Sequence, residues 1–377
     1  MRLWKLLALL PFAAGARLRA WRAPAFDVAK NASVVYGAAS WNCTNVTDAS
    51  TCDSSGLGRG ALTLALYAPA ARNASAPAPP PRKPAVVLIH GGSYVNGDAG
   101  SDNMAWSASW FAARGWVAAS INYRVRGDRG LCPFDLEYAP EYATYADNVT
   151  GAVHPVAWVP SWAEMYPAIR DAKAAVRWLR AHADALGVEP RAVAAYGSSA
   201  GGASAIALGA NVEADFKDEL GAAADPTLAA TFTEESSAVA AVVSHWGALY
   251  ADAALEQRDG VARASARSAP TAGFHGGSDT VVSPENEQAL CEQLGAAGVA
   301  CEYWRLGGYG HDPTASCACC AENCTTNDDG FDCSGVPVPE YAPDGEHRVG
   351  CEVVVGDATI DDLALAFIAE QWQMELA

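Results

Sequence analysis

One short motif limits the fold of this chain more than any other feature: the pentapeptide Gly-Ser-Ser-Ala-Gly at residues 197–201. It follows the apolar run 192–196 and precedes a small-residue segment, 202–209. A serine at such a strand-to-helix turn has strained backbone, needs small neighbours and carries its hydroxyl above the sheet. The following helix N-terminus offers free N–H groups that favour negative charge. The pattern predicts that Ser199 is a nucleophile.

Strand-like and helix-like segments alternate from about residue 61, which predicts an α/β fold with a mostly parallel central sheet and helices on both faces. The apolar run 85–89 is typical of a parallel strand buried on both sides. In the longest helix, polar residues such as Arg170 and Lys173 are expected to face away from the core. Predicted strands cover 61–67, 85–89, 117–123, 192–196, 239–243, 271–274 and 302–305, and predicted helices cover 104–114, 167–186, 202–209 and 360–372.

Two segments interrupt this alternation. Residues about 125–165 are rich in Pro, Tyr and Asp, and are predicted to form a cap insertion above the strand ends. The aromatic residues of the cap either line a substrate pocket or pack the cap onto the sheet. Residues about 315–352 hold six of the eleven cysteines and are predicted to form a cysteine-rich insertion. We expect residues 17–377 to form a single domain around one sheet.

A glycine turn, His-Gly-Gly-Ser-Tyr at 90–94, directly follows the predicted strand 85–89. In acyl transfer a carbonyl oxygen becomes an oxyanion, which needs preorganised N–H donors at about 2.7–3.1 Å. Glycines allow the backbone to approach that oxygen closely. The N–H of the residue after the nucleophile, here Ala200, supplies another donor.

Together the two glycine motifs resemble the esterase/lipase branch of the α/β-hydrolase superfamily, and most of all its carboxylesterase and arylformamidase-like members. The segment Ser-Ile-Asn-Tyr-Arg at 120–124 adds to the resemblance, which covers roughly residues 60–312 apart from the cap. The resemblance implies that Gly92 and Ser93 are oxyanion donors. Tyr94 stands where the formamidase-like members have tryptophan.

The resemblance also implies an acid and a base that follow the serine in the order Ser, Asp, His. Asp279 lies in a turn after the predicted strand 271–274, and His311 follows the next predicted strand. Imidazole can take the serine proton and return it to the leaving group, while a buried carboxylate orients the imidazole. Asp252 and Asp312 are alternative acids. His90 and His275 precede glycine turns and are expected to hydrogen-bond loops.

The N-terminus predicts a secreted protein. Arg2 and Lys5 precede a short apolar stretch and a small-residue cleavage site, so residues 1–16 are interpreted as a signal peptide. Asn-x-Ser/Thr glycosylation sequons occur at Asn31, Asn42, Asn45, Asn73, Asn148 and Asn323. The alternative is a buried or amphipathic N-terminal helix, and onward targeting to an organelle stays open.

In an oxidising compartment the cysteines are interpreted as disulfides. Cys43 with Cys52 and Cys291 with Cys301 are plausible local pairs, and Cys132 is the candidate for the odd cysteine. A thiolate metal cluster in the cysteine-rich insertion is the alternative, but such sites belong to reducing compartments. We therefore predict no metal and no cofactor.

The formal net charge of -18 excludes most nucleic-acid binders, because a phosphate backbone needs Lys and Arg. The C-terminal residues carry several Glu and Gln, so no stable membrane anchor is predicted. The expected partner is a small-molecule ester, and the oligomeric state stays unknown.

Three functions are compatible with these motifs. The first is a secreted serine hydrolase that cleaves carboxylic esters through an acyl-enzyme. The second is an amide, formamide or peptide hydrolase that uses the same three residues. The third is a non-catalytic binding or adhesion protein on a hydrolase scaffold.

Overall fold

The computed structural model describes most of the predicted sheet and its helices. The predicted signal peptide, much of the predicted cap and nearly all of the cysteine-rich insertion lie outside the described part of the chain. The described residues are 18–42, 52, 56–73, 78–125, 131–134, 144–146, 153–155, 160–210, 212–307, 309–311, 354–355 and 358–377.

The centre of the structure is an eight-stranded sheet. Its strands are β2 (Asp27–Asn42), β3 (Leu57–Ala70), β4 (Lys83–Ile89), β5 (Val117–Ile121), β8 (Val188–Ser198), β9 (Ala241–His245), β10 (Thr271–Gly276) and β11 (Cys301–Leu306). Their order in the sheet is β11-β10-β9-β8-β4-β5-β3-β2. The six strands from β11 to β5 run parallel, and β3 and β2 add an antiparallel pair at one edge.

Short strand pairs and helices complete the described elements. The pairs are β1 (Arg19–Ala20) with β14 (Glu375–Leu376), β6 (Thr144–Ala146) with β7 (Val153–Pro155), and β12 (Val354–Val355) with β13 (Ala358–Thr359). The helices are α1 (Asp102–Ala113), α2 (Trp162–Ala181), α3 (Ala183–Leu186), α4 (Ala200–Ala210), α5 (Gly221–Ala224), a 3-10 helix (Pro226–Ala230), α6 (Tyr250–Asp259), α7 (Glu285–Ala296) and α8 (Ile360–Gln371).

Helices cover both faces of the sheet, as the alternation predicts. Strand β4 shows why: Ala85, Val87 and Ile89 pack into a core with α2 and α4, while Val86 and Leu88 pack into a second core with α1 and α8. A strand between two helix layers must be apolar on both sides. The predicted fold class, an α/β fold with a mostly parallel sheet, is confirmed.

The strand order determines where a site can form. Strand β4 lies between β5 and β8. The next strand of this sheet along the chain, β5, therefore pairs on one side of β4, and β8 pairs on the other side. Ligands of open α/β sheets bind at the carboxyl ends of strands where the order reverses in this way. The glycine turn after β4 and the Ser199 turn after β8 meet at that point.

Several predicted elements differ in extent from the observed ones. Strand β3 is twice as long as predicted, because it pairs with the unpredicted edge strand β2 along most of its length. Helices α6 and α7 were not predicted. The predicted helix 167–186 begins earlier, at Trp162, where Ser161 and Glu164 form a capping box, so the predicted cap overlaps its first turn.

The prediction that the polar residues of α2 face away from the core is wrong, because these residues are buried. Arg170 forms an ion pair with Asp225 at 2.6 Å, and Asp171 forms one with Arg124 at 2.7 Å. Lys173 donates a hydrogen bond to the carbonyl oxygen of Asp215 at 2.6 Å. The chain that follows α4 covers this helix face, and only the folded structure brings it there.

One predicted disulfide, Cys291–Cys301, is confirmed, and it joins α7 to β11. Cys43 lies outside the described residues, so its pairing with Cys52 stays a prediction. None of the described helices is both long and apolar enough to cross a membrane.

Candidate active site

Ser199 occupies the tight turn between β8 and α4, with a φ of 54° in the left-handed region. A non-glycine residue in this region is strained and persists only where the surrounding structure enforces it. The enforcing contacts are close: a Cβ on Gly201 would lie 1.9 Å from the Ile89 carbonyl oxygen, and one on Gly197 would lie 2.1 Å from the Gly201 carbonyl oxygen. The two flanking glycines are therefore a steric requirement of the turn.

The Gly201→Ala variant is expected to lose stability, because its Cβ would collide with backbone that cannot move away. We expect the free energy of unfolding to fall by about 1–3 kcal/mol or more, measured by urea denaturation. Gly295→Ala in α7 is the control, since no heavy atom lies within 4 Å of its added Cβ. A helical Gly→Ala change should instead stabilise by about 0.5–1 kcal/mol. Equal stabilities for the two variants would contradict the steric argument.

The structure brings together the serine, histidine and aspartate singled out in the sequence. His311 Nε2 lies 2.9 Å from Ser199 Oγ, and His311 Nδ1 lies 2.7 Å from Asp279 Oδ2. The other carboxylate oxygen, Asp279 Oδ1, accepts hydrogen bonds from the N–H groups of Val281 and Val282 at 2.8 and 2.9 Å. The three side chains follow three different strands, β8, β10 and β11, at the same edge of the sheet.

The predicted oxyanion loop after β4 lies against the serine turn. Gly92, Ser93 and Tyr94 all have positive φ, at 100°, 57° and 59°. Among the described residues, no acceptor takes the N–H of Gly92 or Ser93, or that of Ala200. Strained backbone with unused N–H groups beside a nucleophile is the arrangement that an oxyanion needs. The hydroxyl of Tyr123, which sequence reasoning did not assign, supports the loop by donating to the His90 carbonyl oxygen at 2.9 Å.

Comparisons with known proteins agree with this architecture. Residues 152–260 match the BD-FAE family model. The para-nitrobenzyl esterase of Bacillus subtilis (strain 168) is 32% identical over 139 residues, which is 36% of this chain. The match spans only 23% of that relative's length.

The chain has the α/β-hydrolase fold.

Solved structures of Thermogutta terrifontis esterase 2 are also similar. The form phosphoramylated by tabun is 24% identical to this chain and superposes with a TM-score of 0.47. The aligned region covers 74% of this chain and 84% of the esterase chain. The propionate-bound form is 24% identical and has a TM-score of 0.46, and its aligned region covers 77% of this chain and 85% of the esterase chain. The assignment of the fold depends on the strand order and the serine turn of this chain.

The electrostatics of this candidate site favour a charged Asp279. Burial by itself would raise the pKa of Asp279, since its side chain is fully buried. Hydrogen bonds from His275 and His311 outweigh that effect and hold the pKa below its ordinary value. A carboxylate that stays ionised can orient His311 and stabilise its protonated form.

A small pocket opens beside Ser199. Its walls are mostly apolar. The lining residues are Ser93, Tyr94, Pro160, Ser199, Ala200, Ala203, Ala248, Tyr250, Val281 and Val282. Within the described part of the chain, no cluster of His, Cys, Asp and Glu has the arrangement of a metal site.

The described alternative acid, Asp252, does not join this site. Asp252 is buried in α6 and shares no hydrogen bond with His311, and Asp312 lies outside the described residues. His245 packs against Tyr196, which belongs to the core beneath α1 and α8. Tyr196 Oη lies 3.2 Å from His245 Nδ1. His275 bonds a loop carbonyl as expected, but it also contacts Asp279, which sequence reasoning missed. Its position four residues before Asp279 was the only signal.

Asp252 leads to a prediction about stability and pH. Burial, together with the nearby Glu256, raises the pKa of Asp252 to about 8. An unfolded aspartate has a pKa of about 3.9, so between pH 4 and 8 the folded chain binds the extra proton. The free energy of unfolding therefore falls as pH rises through this window, by at most about 1.4 kcal/mol per pH unit for one group.

The Asp252→Asn variant carries no titrating group at this position, so its stability should decline less between pH 5 and 8. Urea denaturation at pH 5, 6.5 and 8 measures the difference between the variant and the wild type. Parallel curves for the two proteins would show that Asp252 is ionised in the folded state.

Proposed function

We propose that this protein hydrolyses carboxylic esters, with Ser199 as nucleophile, His311 as general base and Asp279 as the acid that orients it. One observation carries the proposal: an unbroken series of hydrogen-bond distances runs from Ser199 Oγ through His311 to Asp279, at 2.9 and 2.7 Å. The strained turn that presents Ser199 and the esterase among the matched relatives support it.

The proton positions follow from the acceptors. Ionised Asp279 accepts a hydrogen bond, so His311 carries its proton on Nδ1 and offers the Nε2 lone pair to the Ser199 hydroxyl. His311 takes that proton as Ser199 Oγ bonds to the ester carbonyl carbon. The tetrahedral intermediate then collapses as His311 returns the proton to the leaving alcohol, and a serine acyl ester remains.

Water completes the reaction by the same route. His311 accepts a proton from the water that attacks the acyl ester, and returns it to Ser199 as the acid product leaves. In both tetrahedral intermediates the negative oxygen would face the N–H groups of Gly92, Ser93 and Ala200. Loss of one such donor costs about 2.7–4 kcal/mol of transition-state stabilisation in enzymes of this kind.

The pocket size predicts a preference for short acyl chains. We expect p-nitrophenyl acetate and butyrate to have kcat/KM values at least about 10-fold higher than the decanoate, because long chains exceed the apolar space. Tyr250→Ala removes a pocket wall and should move the optimum to longer chains, whereas Tyr250→Phe keeps the wall and should not. A decanoate optimum in the wild type would contradict this interpretation of the pocket.

Ester hydrolysis is tested against its two alternatives by direct comparison. Purified protein should be labelled covalently by a fluorophosphonate probe and should turn over p-nitrophenyl acetate faster than matched anilide and formamide substrates. Faster amide turnover would identify an amide hydrolase on the same residues. Absence of both labelling and turnover would favour a non-catalytic binding protein.

We further propose that the protein is secreted, as a single domain after a signal peptide at residues 1–16. The Cys291–Cys301 disulfide and the exposed position of the sequon residue Asn31 on β2 support an oxidising, glycosylating route. Expression in a eukaryotic host, followed by glycosidase treatment of the culture medium, tests this proposal. Unglycosylated protein retained inside the cells would contradict it.

A further inference from the structure

A second histidine, His275, contacts the carboxylate of the proposed triad from behind. It lies at the end of β10 and is fully buried. Its Nε2 is 3.0 Å from Asp279 Oδ2 and 3.0 Å from the Val282 carbonyl oxygen. A carbonyl oxygen only accepts, so Nε2 must carry a proton. Asp279 Oδ2 therefore faces two histidine N–H groups, one from His275 and one from His311.

The other nitrogen of His275 faces a second buried carboxylate. Nδ1 lies 3.5 Å from Oε2 of Glu287, a residue of α7 that is 1% exposed. The other oxygen, Oε1, accepts hydrogen bonds from the Ser244 hydroxyl and from the Gly247 N–H. Glu287 is thus anchored at one oxygen and presents the other to His275.

This arrangement connects the acid to the serine turn. Ser244 and Gly247 belong to the end of β9 and its following turn, and between them the His245 carbonyl oxygen accepts the Ser199 N–H at 2.8 Å. The series Asp279–His275–Glu287 therefore runs from the orienting carboxylate to the backbone that supports the nucleophile. The three residues come from β10, its following turn and α7.

Two negative groups flank His275, which favours its doubly protonated form. Burial alone would lower the pKa of His275, but Asp279 and Glu287 outweigh burial and raise it to about 9. Burial raises the pKa of Glu287, and the nearby His275 opposes that rise. Farther out, Tyr250 faces Asp279 and Tyr303 faces Glu287, while His311 lies across Asp279.

We propose that His275 and Glu287 are positioning residues, which hold Asp279 in place and place a positive charge behind it. The inference rests on the proposed esterase function. Positive His275 repels the positive charge that His311 acquires as a base, and it draws negative charge away from Asp279 Oδ2. Both effects act on the charge that His311 acquires during the reaction, so they alter the pH dependence of the reaction.

The His275→Gln variant tests this inference, because glutamine keeps a neutral N–H donor and removes the charge. The acid limb of the kcat/KM–pH profile should move upward by about one pH unit, the size expected for a unit charge about two hydrogen bonds away. Glu285→Gln, an α7 residue without contact to His275, is the matched control and should leave the profile unchanged. An unmoved acid limb in a folded His275→Gln variant would overturn the proposal.

A measurement on the wild type keeps the test independent of folding in the variant. Nitrogen-15 spectra of histidine side chains at pH 7 should show His275 protonated at both nitrogens, assigned by its loss in His275→Gln or by through-bond correlation. Glu287→Gln should lower the pH at which this signal titrates. A neutral His275 at pH 7 would overturn the inference. An inactive, unlabelled wild type would instead overturn the esterase function, so the two failures are distinguishable.

Discussion

Replacing Ser199 by alanine is expected to lower kcat/KM for p-nitrophenyl acetate by about 10⁴- to 10⁶-fold and to abolish fluorophosphonate labelling. The variant retains His311, Asp279 and the N–H donors, but it has no oxygen that can form the acyl-enzyme. Activity above the uncatalysed rate would then come only from the remaining oxyanion donors and substrate binding. Urea denaturation should show that its stability is close to that of the wild type.

The neighbouring serine provides a matched control for this experiment. Ser198 is buried, and it lies at the last position of β8, before the left-handed residue of the turn. Ser198→Ala should retain labelling and most of the activity. If Ser199→Ala kept its activity while Ser198→Ala lost it, the nucleophile would have been assigned to the wrong residue and the proposed mechanism would be wrong.

The Asp279→Asn variant is expected to lower kcat by about 10⁴-fold with little change in fold. The N–H groups of Val281 and Val282 both point at the Oδ1 position, so they will select the amide oxygen of the variant. Its NH₂ group then takes the place of Oδ2 and faces His311 Nδ1, which must become an acceptor. It also faces the Nε2–H of His275, which keeps only the Val282 carbonyl oxygen as its acceptor. The His311 proton then moves to Nε2, which faces Ser199. A protonated Nε2 cannot accept the proton of the serine hydroxyl.

Asp252→Asn is the control for the aspartate experiment, because Asp252 is the other described candidate acid and is also buried. We expect its kcat to stay within about threefold of the wild type, since it has no hydrogen bond to His311. Steady-state kinetics at pH 7.5 compares the two variants. A larger loss in Asp252→Asn than in Asp279→Asn would exchange their roles.

The parts of the site that could be predicted are those written in short, contiguous patterns. The serine turn needs small residues at 197 and 201 because the backbone passes within 2–3 Å of their missing side chains. Parallel strands need unbroken apolar runs, so β4 was predicted almost to its limits. Asp279 and His311 follow recognisable strands and match a known family order.

The parts that sequence reasoning missed involve contacts between distant segments. Polar residues of α2 were expected at the surface, but the chain after α4 covers them and supplies ion-pair partners. His275 is expected to hydrogen-bond a loop and does so, but its contact with Asp279 is not predicted, and Glu287 lies on a helix that is not predicted either. Such partners carry no periodic pattern, so their pairing cannot be seen along the chain.

Local chemistry along the chain therefore determined the fold class and the turn that presents Ser199, because steric limits and strand periodicity act between near neighbours. The resemblance to a known family indicated the candidate acid and base. Only the tertiary structure decided that His311 lies 2.9 Å from Ser199, and that His275 and Glu287 stand behind Asp279. Hydrogen bonds and buried charges act over a few ångströms in space. Residues far apart along the chain come within that range only after the sheet and its helices have packed.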